Sequence, residues 1–212
     1  MHSVRAEKFF TKEEREKIKE TTREVESGTI GEVAVMVVER SDPYVEAEII
    51  GGVLLGGLFA LIITVSYFHS SIWSYVVLSF LLFFPSFFIF NKFPVLKTAF
   101  IGHKRKRHAV REKALRAFYE RGLYKTKKNT GVLFFLSLLE RKVWVLADKG
   151  IHEKIRQEAL NRFAKIVSTG IKDGRACDAL CEAIKEVGGL LAIHFPKTPD
   201  DTDELPDEVM SG

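Results

Sequence analysis

Between Glu48 and Lys92 the chain contains no aspartate, glutamate, lysine or arginine. A surface helix of a soluble domain interrupts its apolar run with charge, because one face meets water, and this interval does not. Cysteine is scarce too, with only two, Cys177 and Cys181, among 212 residues. Their spacing on a helical pattern makes a strained disulfide, and two thiols alone do not make a zinc site. Both are expected to be reduced and structural. Met1 to Phe10 lacks the apolar stretch of a cleavable signal peptide, so an internal segment has to direct any membrane insertion. Also missing are a phosphate-binding glycine loop, a His-Glu-x-x-His helix and a Gly-x-Ser-x-Gly elbow. The formal net charge of +4 is small. It comes mainly from one run, Lys104-Arg105-Lys106-Arg107, which has no interleaved aromatics. A nucleic-acid partner is therefore not expected.

What fills the uncharged interval is enough for two membrane-crossing helices of about 20 residues each. They are predicted over residues 49–67 and 73–90, inside a hairpin spanning 49–92, with Phe68-His69-Ser70-Ser71-Ile72 as the turn. Tyr67, Trp73 and Tyr75 gather at that turn, where interfacial aromatics belong. The remaining chain is too short to enclose two wholly apolar helices in a soluble core. The Gly52-x-x-x-Gly56 spacing predicts a close helix–helix approach, and Pro85 predicts a bend in the second helix. Pumps and channels need ionisable groups at membrane depth. The hairpin offers only His69, at the turn, so a transport role is not expected.

Positive charge sets the orientation. Lys92, Lys97, Lys104 to Arg107 and Arg111 follow the second helix closely, and the turn carries none. By the positive-inside rule both termini face the cytoplasm in a multi-pass arrangement. Lys104, Arg105, Lys106 and Arg107 are expected to contact anionic lipid headgroups. The lipid bilayer is thus the first expected partner.

The flanks read as two halves of one domain, residues 1–48 and 98–197, followed by an acidic, mobile tail over 198–212. Thr11-x-x-Glu14 is a capping box that starts a helix through Ile18, Thr21 and Val25. The run from Glu32 to Glu39 is a buried strand. After the hairpin comes a helical stripe through Val110, Ala114, Ala117 and Phe118, with Gly122 as its C-cap. Gly131 to Leu138 and Lys142 to Asp148 then form an antiparallel pair about Glu140-Arg141. Two more helices carry Ile155, Ala159, Phe163 and Ile166, then Ala176, Leu180, Ile184, Val187 and Leu191, with Asp173 as N-cap of the second. A lone strand cannot bury itself, so the first half needs the second. The expected fold is α/β: a mixed sheet with helices on its faces, interrupted by a two-helix transmembrane hairpin.

Several stretches in this order resemble the TPM domain family, named for a thylakoid lumen protein, a photosystem repair protein and a worm receptor modulator. They are Phe10-Thr11-Lys12-Glu13-Glu14, Gly31-Glu32-Val33-Ala34-Val35, Phe118-Tyr119-Glu120-Arg121 and Thr130-Gly131-Val132-Leu133. Arg141-Lys142-Val143 and Ala147-Asp148-Lys149-Gly150-Ile151 continue the series. The end, with His194-Phe195-Pro196, Asp200-Asp201 and Glu204-Leu205-Pro206, is similar to a bacterial membrane-anchored subgroup. The resemblance implies a Rossmann-like sandwich and a bacterial inner (cytoplasmic) membrane location. Because a well-patterned fold comes without a catalytic constellation, the expected role is an interaction or assembly module for other membrane proteins. Some relatives are described as acid phosphatases, so a divalent-cation-dependent phosphohydrolase is the alternative.

The resemblance also implies an acidic cleft at the start of the second strand, where relatives commonly carry Asp-Asn-Gly. Here the stretch is Asn129-Thr130-Gly131, one charge poorer, and hard cations favour carboxylates. The metal candidates are Asn129, Asp148 and Glu153. No cofactor is expected beyond weakly held Ca²⁺, and no catalytic residue is assigned. For the alternative, Asp148, His152 and Asn129 are the candidate acid/base and cation groups. Asp148 is expected where strands of an α/β sheet open toward ligand clefts.

Overall fold

The computed structural model describes residues 4–68, 71–126, 129–197 and 208–212. Its elements are α1 (Val4–Glu7), α2 (Lys12–Glu26), β1 (Glu32–Val38), α3 (Val45–Tyr67), α4 (Ile72–Lys92), α5 (Pro94–Phe100) and α6 (His103–Glu120). A 3-10 turn (Leu123–Lys125) precedes β2 (Gly131–Ser137), β3 (Lys142–Ala147), α7 (Lys149–His152), α8 (Gln157–Lys172), α9 (Ala176–His194) and β4 (Met210–Ser211). They fall into two compact units, residues 1–41 with 107–212, and residues 42–106.

The first unit is built on a mixed sheet of order β3-β2-β1-β4. β1 and β2 run parallel in register from Glu32 beside Gly131 to Val38 beside Ser137. β3 returns antiparallel to β2, with Val132 opposite Ala147 and Ser137 opposite Lys142. Every residue of β1 and β2 is buried, which is why both read as unbroken apolar runs. Alternate side chains serve two layers. Val33, Val35, Val37, Phe134 and Leu136 pack with Ile18, Phe163, Leu180 and Ile184 on one face. Ala34, Met36, Leu133 and Phe135 pack with Val110, Ala114, Ala117 and Phe118 on the other. The Thr11 capping box is formed, with the Thr11 N–H donating to Glu14 Oε2 at 2.8 Å and the Glu14 N–H to Thr11 Oγ1 at 3.2 Å.

Two expectations are corrected here. Asp173 does not cap α9. It closes α8, its N–H donating to Thr169 O at 3.0 Å. Gly174, in the left-handed region at φ 73°, then turns the chain, and Arg175 stands at the N-cap of α9. The second correction is the tail. Residues 198–207 lie outside the described residues, but the last ones take a place on the sheet. Met210 and Ser211 pair parallel to Met36 and Val37 as an edge strand, and Val209 is buried in the core. A two-residue strand leaves no periodic signal.

The second unit is an apolar hairpin. Both α3 and α4 are long and apolar enough to cross a membrane, while His69 and Ser70 of the turn lie outside the described residues. The first helix is longer than the expected span because it starts at Val45. A Cβ on Gly56 would stand 3.0 Å from the Leu82 and Phe83 backbone, and one on Gly51 would stand 2.4 Å from the Phe90 ring. These glycines are where the helices meet, as the spacing predicts. Pro85 lies inside a continuous α4. The short α5 was not expected at all.

Candidate functional site

The predicted cation and acid/base residues gather at one end of the sheet. Glu32, Gly131 and Asp148 lie side by side: Glu32 pairs with Gly131, and the Asp148 N–H donates to Gly131 O at 2.9 Å. Because β3 is antiparallel, its final residue lies beside the starts of β1 and β2. Asp148 is therefore not at the carboxyl ends of the parallel strands, where α/β clefts open; those ends are Val38 and Ser137. The expectation took a strand end for a carboxyl end of the parallel pair.

Each side chain there has a local task. Asp148 N-caps α7, its Oδ1 accepting from the Lys149 N–H at 2.7 Å, while its Oδ2 is buried with no hydrogen-bond partner. Glu153 is the exposed C-cap of the same short helix, and His152 is exposed on it. Asn129 is exposed and sits at φ 55°, a left-handed backbone that Asn tolerates better than most residues. Thr130 is buried, its hydroxyl donating to Ile30 O at 2.9 Å. Gly131 is required by packing, since a Cβ would meet Leu123 O at 2.4 Å. Glu32 was not singled out from the sequence. Its burial, at 4% exposure, makes it a second carboxylate beside Gly131, and its only signal was an acid at the head of an apolar run.

Among the described residues no three His, Cys, Asp or Glu side chains come together to hold a metal ion. The Asp148 Oδ2, even counted with the Glu32 carboxylate at the same sheet end, falls well short of the roughly six to eight oxygens that Ca²⁺ takes. The residues present do not make a closed cation site. Cys177 offers no nucleophile: burial first, then the neighbouring Cys181, pushes its thiol up to about 12, so it stays protonated.

The basic run divides among several tasks, Lys104 to Lys106 in the second unit and Arg107 in the first. Arg105 pairs with Asp42 at 2.9 Å and Glu46 at 3.1 Å, and its guanidinium lies 5.5 Å from the Tyr44 ring centre. Lys106 donates to Thr98 O at 2.8 Å, while Lys104 and Arg107 are exposed. Burial pushes the Asp42 carboxyl up, but the Tyr44 N–H and the Arg105 guanidinium together outweigh it and hold the group below its ordinary value. The deeper feature was missed by sequence reasoning. Lys97 of α5 is fully buried, its ammonium on Glu48 Oε1 and 3.3 Å from Pro43 O. Counting Lys97 as a free positive charge was the reason. An acid at the head of one apolar segment and a lysine just beyond the other is the pattern that signalled it.

The match to known families falls mostly on the sheet-bearing unit. The TPM domain family model matches residues 100–190. The chain carries a TPM domain. That match begins just before α6 and leaves out α2 and β1, yet β1 pairs with β2 along its whole length, so the folded domain extends beyond the matched residues. Among solved structures, the BA42 protein of the psychrophilic bacterium Bizionia argentinensis, determined by NMR, is 20% identical with a TM-score of 0.61, over 96% of each chain. At that identity the likeness is one of fold. No curated protein matches.

Proposed function

We propose that this TPM-domain protein is anchored in a bacterial inner membrane by its hairpin, with both termini in the cytoplasm, where the sheet-bearing unit acts as an interaction or assembly module for other membrane proteins. One observation carries the anchoring. In residues 42–106 large apolar side chains are outside while one ion pair is inside: Phe88 is 68% and Val95 65% exposed, whereas Lys97 is 0% and Glu48 7% exposed. In water this arrangement pays twice, because desolvating each ion costs several kcal/mol and each exposed large side chain forgoes about 1.5–3 kcal/mol of burial. Hydrocarbon reverses the second term. All but four of the large exposed apolar side chains among the described residues, Leu115, Tyr119, Tyr124 and Ile193, belong to this unit. Lys92, Lys104 and Arg107 support the inward orientation; Lys97, neutralised by Glu48, drops from that count.

The test uses single cysteines in a Cys177→Ala, Cys181→Ala background. In intact spheroplasts, Ser71→Cys should react with an impermeant maleimide, and Lys185→Cys only after permeabilisation. The reverse pattern would invert the topology, and release of the chain by alkaline carbonate would end the anchoring reading.

The unpartnered Oδ2 of Asp148 favours a second reading, the divalent-cation-dependent phosphohydrolase. Purified chain should show no hydrolysis of p-nitrophenyl phosphate with or without Ca²⁺ or Mg²⁺. Turnover lost in Asp148→Asn would replace the non-enzymatic reading with this one.

A further inference from the structure

At the opposite end of the sheet from Asp148, where β2 reaches its carboxyl end, the first unit holds a cavity of about 570 Å³. Small-molecule sites are commonly about 300–1,000 Å³, and ligands of α/β sheets favour the carboxyl ends of parallel strands. Its walls are of two kinds. Phe9, Leu136, Leu138, Val143 and Ile171 give an apolar lining between the β2–β3 hairpin and the last turn of α8. Arg141, Lys142 and Lys172 add three cations. Among the described residues none of the three forms an ion pair, although exposed pairs are plentiful elsewhere in this unit, such as Lys17 with Asp178 and Lys185 with Glu24.

Glu140, just before Arg141 in the chain, accepts from the Ser41 N–H at 2.9 Å and from the hydroxyl of Ser137. Arg141 holds φ 52° at the last place of the turn before Lys142, a left-handed position that glycine or asparagine occupies more readily. Three like charges beside an apolar hollow repel one another until an anion joins them. The carbonyl end of α8 adds partial negative charge to the same region, which offsets one cation at most.

We propose that this cavity binds an anionic amphiphile, with an acyl chain along Leu136, Val143 and Ile171 and a carboxylate or phosphate head among Arg141, Lys142 and Lys172. The site is separate from the residues at the Asp148 end and does not depend on the anchoring reading. Its ligand class follows from the pairing of an apolar lining with unpaired cations; a purely apolar ligand leaves the cations unmatched, and inorganic phosphate leaves the lining empty.

The experiment uses the full chain in phosphatidylcholine nanodiscs with three photoactivatable diazirine probes: laurate, a lysophosphatidate and dodecanol. Crosslinks are mapped by peptide mass spectrometry. Laurate or the lysophosphatidate should label peptides covering residues 136–143 and 168–172, and the stronger of the two identifies the head group. Dodecanol should label the apolar hairpin but not these peptides. Arg141→Ser with Lys142→Gln and Lys172→Gln should cut cavity labelling roughly tenfold, a loss of about 1.4 kcal/mol in binding, while hairpin labelling stays unchanged as the internal control. Ser168→Trp, which fills the cavity and leaves the cations in place, should abolish it too. The proposal is overturned by equal labelling with dodecanol, by labelling that survives both sets of substitutions, by competition from millimolar inorganic phosphate alone, or by no cavity labelling with either anionic probe.

Discussion

In residues 1–41 with 107–212, Phe134, Phe135 and Leu136 are sealed inside while Lys17, Asp178 and Lys185 stand in solvent. In residues 42–106 the partition is turned inside out, with Phe80, Phe88 and Val95 outside and the Glu48–Lys97 pair within. Both units are helical where they meet their surroundings, so secondary structure does not cause the difference. On the anchoring proposed above, the surrounding medium does: a side chain goes inside when its surroundings reject it, and the two units would then answer to two sets of surroundings. Even the glycines follow this division. In the first unit Gly131 admits a backbone carbonyl over the sheet, whereas in the second Gly51 and Gly56 admit a neighbouring helix, which suits an interface that has no hydrophobic drive of its own in lipid.

The largest effect that would break this comparison lies at the buried pair. Lys97→Met leaves Glu48 unmatched and should cost about 3–5 kcal/mol, read as a lowered midpoint of SDS-induced unfolding in mixed micelles. Adding Glu48→Leu should restore most of the loss, since replacing a whole buried pair is often neutral. A double variant as unstable as the single one would mean that the ions are favourable in themselves. Next in size is Leu81→Lys, on an exposed face of α4. In a bilayer a lysine at mid-helix costs about 2.5–3.5 kcal/mol, so carbonate-resistant insertion should fall. In water the same change costs nothing, so undiminished stability and insertion would show that this face is wet.

How far the sequence carried depended on the length of each signal. The parallel β1–β2 core, the β2–β3 hairpin and both apolar helices were legible because seven-residue strands and long apolar spans leave a period or a run. The edge strand at Met210–Ser211 and the short α5 were not, because elements that short leave neither. Asp173 misled because a capping-type residue just before a helix also stands just after another, and Gly174 in the left-handed region decided between them. At the Asp148 end, residue types were readable but strand direction was not. Only the register with Gly131 shows that Asp148 sits beside the starts of the parallel strands. Glu48 and Lys97 were visible as charges, but what pairs them is the fold-back through α5.

Smaller effects sharpen the contrast. Gly56→Leu drives a side chain toward the Leu82 and Phe83 backbone and should cost about 1–3 kcal/mol, as overpacking does, with the two helices splayed. A FRET pair near the turn should report that separation, and unchanged transfer would contradict the close approach. The smallest effect is a pH dependence at the charged base of the second unit. Asp42 is held below its ordinary value of 3.8. Its ionised contribution is therefore fully present above about pH 4 and lost as the pH falls through the folded-state value. The unit should loosen modestly below pH 4, seen as faster proteolysis near Asp42. Asp42→Asn should remove that pH step, and a step that persists in the variant would assign it to another group.

The central claim is that hydrocarbon surrounds the α3–α4 hairpin, and spin labels in reconstituted vesicles measure this most directly. Nitroxides are placed one at a time at Leu58 and Leu81 of the hairpin and at Lys185 of the sheet-bearing unit, in the cysteine-free background. Their relaxation by oxygen, which concentrates in lipid, is compared with relaxation by a water-soluble nickel chelate. Labels at Leu58 and Leu81 are predicted to respond to oxygen and be shielded from nickel, with the opposite order at Lys185. Nickel access at Leu58 and Leu81 equal to that at Lys185 would contradict the account.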